Sequence, residues 1–290
     1  MNQKQDFLGH HDTFIVVGCF RFGSTALAHM IDDWIRANWE LHMRPTLFLN
    51  EFLSLHHYAN KTEKGFGMGY MTEDYLPFGD SGKSLNLTMV RPAPPHVMRN
   101  KLAWINRMKA SHKIIIKLDP SDWDKHGAEL LEKHLLNDPR SYKLGLCRQD
   151  VGNAMISFCI GIDFGIWNMN RDEYDQELTK TIVKKNCRLE NMQNFCNTVL
   201  SHLNWLLYSA DMLNTMVWYD QLDDLQIAQI EFSKIKHDKG IIKNPMSHAD
   251  RCRLYYNNGE DVIQLANRFQ AQMDPLLLEV RKATQHLVSG

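Results

Sequence analysis

Arg21, Phe22, Gly23, Ser24 and Thr25 stand together where an apolar run, FIVVGC, gives way to a helical pattern that starts at Ser24. Gly18 and Gly23 bracket four residues, and Ser24-Thr25 opens the helix. That layout suits phosphate oxygens, because glycines let backbone N–H groups turn inward and a helix N-terminus adds partial positive charge. An ordinary strand-to-helix turn needs glycine for geometry alone. The strand before and the helix after favour the phosphate reading.

Set beside the pattern G-x-x-x-x-G-K-[ST], the loop has Ser24 in place of the lysine that reaches the β- and γ-phosphates of a nucleoside triphosphate. A ligand with a single 5′-phosphate has no γ-phosphate to hold. Arg21, inside the loop, can supply the one cation needed near a bridging oxygen.

A second group of polar residues follows the apolar run YKLGLC. Arg148 stands at the turn after it, and Ser157 lies nine residues further, on the helix that follows. A guanidinium offers a planar, permanently charged fork for phosphate oxygens, and a hydroxyl adds a neutral donor. Taken singly, an arginine at a strand end is an ordinary surface charge and a helical serine is merely tolerated. Together, downstream of a lysine-less loop, they favour a second anion contact.

These motifs resemble those of the sulfotransferases that use 3′-phosphoadenosine 5′-phosphosulfate (PAPS). Arg21-Phe22-Gly23-Ser24-Thr25 is similar to the R-x-G-S-T loop of that family, in particular its trehalose-type and carbohydrate-type branches. The resemblance implies that Arg21 to Thr25 cradle the 5′-phosphosulfate, and that Arg148 and Ser157 hold the 3′-phosphate. The Arg148–Ser157 spacing is one residue longer than is common in the family. A weaker similarity, Met216 to Leu222, matches the strand that closes the sheet in many members. In all, the resemblance spans roughly residues 13–225, with long unmatched gaps.

Sulfuryl transfer needs a base within hydrogen-bond reach of the acceptor hydroxyl. Glu51, in NEF after a second strand, resembles the catalytic glutamate segment of the trehalose-type branch. Asp119, in KLDP, resembles the K-T-H-x-P segment of the cytosolic enzymes with aspartate in the histidine's place. Glu51 is preferred. Asp119 is also a turn former before Pro120, or a metal-holding acid at a strand end. Lys117 is a candidate for stabilising the leaving phosphate.

The implied activity is transfer of a sulfuryl group from PAPS, as co-substrate, to a hydroxyl acceptor, with a carbohydrate suggested by the family branch. No metal is expected: the fourteen histidines form no H-E-x-x-H, and the six cysteines no C-x-x-C. Two other functions stay open, a P-loop kinase or nucleotide hydrolase with Asp119 on Mg²⁺, and an inactive nucleotide-binding module.

The elements that must position these residues read as an α/β fold, a parallel central sheet with helices on both faces. Phe14–Cys19, Lys113–Leu118, Tyr142–Cys147 and Thr215–Tyr219 are continuous apolar runs, as strands covered on both faces should be. Helical patterns cover Ser24–Asn38, His126–Leu136, Asp150–Ile160 and the stretch from Asp261 to about Leu287. Residues 60–95, with KGFGMGY and RPAPP, read as a long loop, insertion or lid, and 171–214 as a helical lobe.

At 290 residues, with 44% hydrophobic and 23% charged residues, the chain suits a single domain spanning 1–290. Its net charge of -1 offers no bulk attraction for nucleic acid or an anionic membrane, so an anion must be bound locally. Scattered cysteines and an N-terminus without an apolar core point to a cytoplasmic protein.

Overall fold

The computed structural model describes residues 3–19, 21–49, 56–60, 87–92, 95–120, 125–165, 182–224, 226–227, 230–231 and 246–288. The helices and strands that matter here are α1 (Gln3–His10), β1 (Thr13–Val17), α2 (Ser24–Ala37), β2 (Thr46–Leu49), β3 (His56–Asn60), β4 (Leu87–Pro92), α3 (Pro95–Met108), β5 (Lys113–Leu118) and α4 (Lys125–Leu131). They continue with β6 (Ser141–Cys147), α5 (Val151–Phe164), α6 (Leu189–Tyr208), β7 (Thr215–Trp218), α7 (His248–Tyr255) and α8 (Gly259–Ala283).

The central sheet has five parallel strands in the order β2-β5-β1-β6-β7. Every residue of β1, β5, β6 and β7 is buried, which explains their unbroken apolar runs. Alternation along β1 divides the core in two. Ile15 and Val17 pack with Leu49, Ile105, Leu131 and Leu135 on one face. Phe14 and Val16 join Ile31, Trp34, Phe195 and Phe269 on the other. Helices therefore cover both faces, and the α/β nucleotide-binding-like fold expected from the sequence is the one observed.

Local differences have local causes. The helical pattern through Leu136 forms as α4 and then widens into a π-turn, Glu132–Leu136, where Asn137 N–H bonds to Glu132 O at 2.9 Å. That widening buries Leu135 and Leu136 together. Within the stretch read as a loop, Leu87–Pro92 forms a strand antiparallel to His56–Asn60. Residues 61–86 of that stretch, and 171–181 of the proposed lobe, lie outside the described residues; α6 accounts for most of the rest of the lobe. All six cysteines are free, and all but the half-buried Cys196 are buried.

Several charged groups at the N-terminal edge of the sheet pair among themselves. Buried Asp12 accepts from Arg44 at 2.7 Å and Arg140 at 2.6 Å, and buried Lys113 bonds to the carbonyls of Leu8 and His11. These contacts tie α1 under the sheet. The opposite, C-terminal edge is where the sequence motifs gather.

Candidate functional site

In open α/β sheets ligands bind outside the carboxyl ends of the strands. At that edge Gly18 N–H extends the sheet by bonding to Leu118 O at 2.9 Å, and residues 21–23 form a turn that leads into α2. Two residues of the turn have positive φ, Arg21 at 63° and Gly23 at 89°. For a non-glycine such as Arg21 this conformation costs on the order of 1 kcal/mol, so the surroundings must hold it.

They do so from several sides. Phe22 is fully buried, with its ring edge-on to His202 at 5.4 Å, and anchors the loop in the core. Of the residues assigned to the loop, Phe22 thus contributes anchorage, its side chain buried in the core. Gly23 packs so closely on Tyr219 that a Cβ there would lie 2.6 Å from the ring. Lys117, buried at the end of β5, donates to Thr25 Oγ1 at 3.3 Å.

The two anion motifs of the sequence meet here. Ser157 Oγ, on α5, accepts from Arg21 Nε at 3.1 Å and Nη2 at 2.6 Å. Arg148 Nη1, from the end of β6, donates to the backbone carbonyl of Arg21 at 3.0 Å. Its guanidinium lies 4.5 Å over the Tyr219 ring, a cation–π arrangement. Arg148 is 8% exposed, and its Nε has no hydrogen-bond partner among the described residues. A buried guanidinium donor left unmatched favours an anion able to take it. The serine expected to partner Arg148 is thus bonded to Arg21, and the loop and the β6 turn form one cluster.

A third arginine joins them. Arg251, 7% exposed, sits on α7, and its charge and that of Arg148 act on Arg21. Burial first, and then these two like charges, lower Arg21 from 12.5 to about 10. Burial likewise lowers Arg148, against the opposing pull of Tyr219 and Asp150, whose Oδ2 is 3.8 Å away. Guanidiniums from the β1–α2 loop, the β6–α5 turn and α7, with the N-terminus of α2, concentrate positive charge at this edge of the sheet.

Asp119 is buried where β5 ends. Glu51 lies outside the described residues; the strand before it, β2, is β5's neighbour, with Leu49 level with Ile116. Arg251 was missed from the sequence. The signal was Ser247-His-Ala-Asp250, a capping pattern: Ser247 Oγ accepts from Asp250 N at 3.1 Å and starts α7. Tyr219, read only as part of a sheet-closing strand, buttresses both Gly23 and Arg148.

His202 beneath the loop yields a pH prediction. Its Nε2–H donates to Leu146 O at 2.8 Å, and burial lowers it from 6.5 to about 4, so the ring is neutral at pH 7. Below pH 6.5 the unfolded chain binds this proton while the folded chain does not, so stability falls between about pH 6.5 and 4. The loss approaches about 3 kcal/mol. Urea unfolding from pH 7 to 4.5 should show His202→Gln with an acid-side slope smaller by about one proton. A slope equal to wild type would contradict this.

No protein-family model, curated protein or solved structure matches the chain. Among the described residues no helix is long and apolar enough to cross a membrane.

Proposed function

We propose that this protein is a sulfotransferase that moves a sulfuryl group from PAPS to a hydroxyl acceptor, with a carbohydrate as the favoured class. The observation that carries the reading is the convergence of Arg21, Arg148 and Ser157 at the C-terminal edge of the sheet, on a glycine loop that has Ser24 where a triphosphate site needs lysine. In this reading the loop and the α2 N-terminus take the 5′ group, and the unmatched Arg148 Nε takes the 3′ group. A reducing, cytoplasmic setting accords with six free thiols.

In this reading Glu51 takes the acceptor's proton as its oxygen attacks sulfur, and the bond from sulfur to the 5′-phosphate oxygen breaks. Arg21, Lys117 and the loop N–H groups stabilise the charge that develops on the leaving bisphosphate. Positioning supplies much of the rest, as in phosphoryl transfer.

The kinase or hydrolase reading is disfavoured by Lys117. Its ammonium sits on Thr25 Oγ1, the hydroxyl that a P-loop enzyme gives to Mg²⁺, and two cations at that oxygen repel. The test is to assay the wild-type chain for sulfate transfer from PAPS to a panel of sugars, and in parallel for Mg²⁺-dependent ATP hydrolysis. Transfer without hydrolysis is the expected result. Robust ATP hydrolysis abolished by EDTA would reverse it.

A further inference from the structure

α8 lies so close to the start of α5 that a Cβ on Gly152 would be 2.8 Å from the carbonyl oxygen of Ala266. One turn further along α8, the side chain of Gln270 meets the β6–α5 turn at two points. Its Oε1 accepts from Gly152 N at 2.9 Å, and its Nε2 donates to Gln149 O at 2.9 Å. Nε2 also donates to Asp274 Oδ1 at 2.7 Å, which fixes the orientation of the amide. A carboxamide serves a backbone N–H and a backbone carbonyl together, whereas a carboxylate has no donor for the carbonyl. Gly152 N–H is one of the orphan donors of a helix start, and Asp150 Oδ1 takes the next, Asn153 N, at 3.2 Å.

Arg148 therefore stands between two anchored segments. Before it, Cys147 is level with Trp218 in the ladder of β6 and β7. After it come Gln149 to Gly152, bonded to α8 through Gln270. Its guanidinium bonds Arg21 O and lies over Tyr219, with Nε unmatched. A charged contact reaches its full strength only where the groups behind it hold it to within about 0.5 Å.

We propose that Gln270 is a positioning residue for the 3′-phosphate contact, holding the turn that carries Arg148 and so setting the preference for a 3′,5′-bisphosphate over a 5′-monophosphate. The inference rests on the reading that Arg148 takes the 3′-phosphate. Gln270 acts through Arg148, and the β1–α2 loop makes its 5′ contacts without it.

Calorimetric titration of the full chain with adenosine 3′,5′-bisphosphate and with AMP tests this. Gln270→Met keeps the length of the side chain and its packing on Gly152 but loses both backbone bonds. Gln270→Glu keeps the acceptor for Gly152 and sets a carboxylate oxygen against Gln149 O and Asp274. In each variant the ratio of bisphosphate to AMP affinity should fall by about threefold or more, the scale of one weakened charge-assisted contact. A role in stability alone would leave that ratio unchanged in the folded protein. In an Arg148→Ala background, Gln270→Met should lower the ratio no further, because the two substitutions act on the same contact. A wild-type ratio in either single variant, or a further fall in the Arg148→Ala background, overturns the inference and leaves the nucleotide site standing. A wild-type chain with no preference for the bisphosphate overturns both.

Discussion

Glu51→Gln is expected to lower turnover in sulfuryl transfer by roughly 10²–10⁴-fold while nucleotide affinity stays at the wild-type value. Glutamine keeps the size and hydrogen-bonding capacity of glutamate but takes no proton at neutral pH. Asp119→Asn, made in parallel, should do less, because Asp119 follows β5 just before Pro120, in a position a turn former commonly fills. The check is a transfer assay run beside a binding measurement for each variant. An inactive Asp119→Asn beside a fully active Glu51→Gln would move the base to the end of β5.

Arg148→Ala should weaken binding of adenosine 3′,5′-bisphosphate by roughly tenfold to a hundredfold, the scale of one charge-assisted contact. The geometry adds a second consequence. Arg148 also holds the carbonyl of Arg21, a residue in a strained left-handed conformation, so its loss loosens the 5′ loop as well. Arg148→Lys keeps the charge but lacks the planar fork that bonds the carbonyl and lies over Tyr219, and should recover only part of the affinity. Calorimetry on the two variants distinguishes these contributions. Full affinity in Arg148→Ala would remove Arg148 from the site.

The strands were legible because parallel strands covered on both faces leave continuous apolar runs; β5 has the limits expected, Lys113–Leu118. Their neighbours were not legible. Nothing local states that β5 inserts between β2 and β1, since that order is set by crossovers and by which helix covers which face. The helix α3 was hidden by RPAPP, a run read as loop. Pro95 stands at its first position, where proline's missing N–H is not needed.

Arg21 and Arg148 were legible as site residues because each stands at a strand end beside a recognisable turn. That Arg21 itself takes Ser157, and that Phe22 turns into the core against His202, depended on contacts far apart in sequence. Arg251 enters from the other end of the chain. Only the cap at Ser247 marked its helix, and a cap gives a boundary without giving a neighbour.

The central claim is that this edge of the sheet holds two separate phosphates of one nucleotide. Its most direct test is calorimetric titration of the wild-type chain with adenosine 3′,5′-bisphosphate and with AMP, under the same salt and pH. The two ligands share the base and the 5′-phosphate and differ only at the 3′ position, where Arg148 with its unmatched Nε–H would contribute. The account predicts that the bisphosphate binds at least about tenfold more tightly, as one charge-assisted contact or more would give. Equal affinity for the two nucleotides would contradict it.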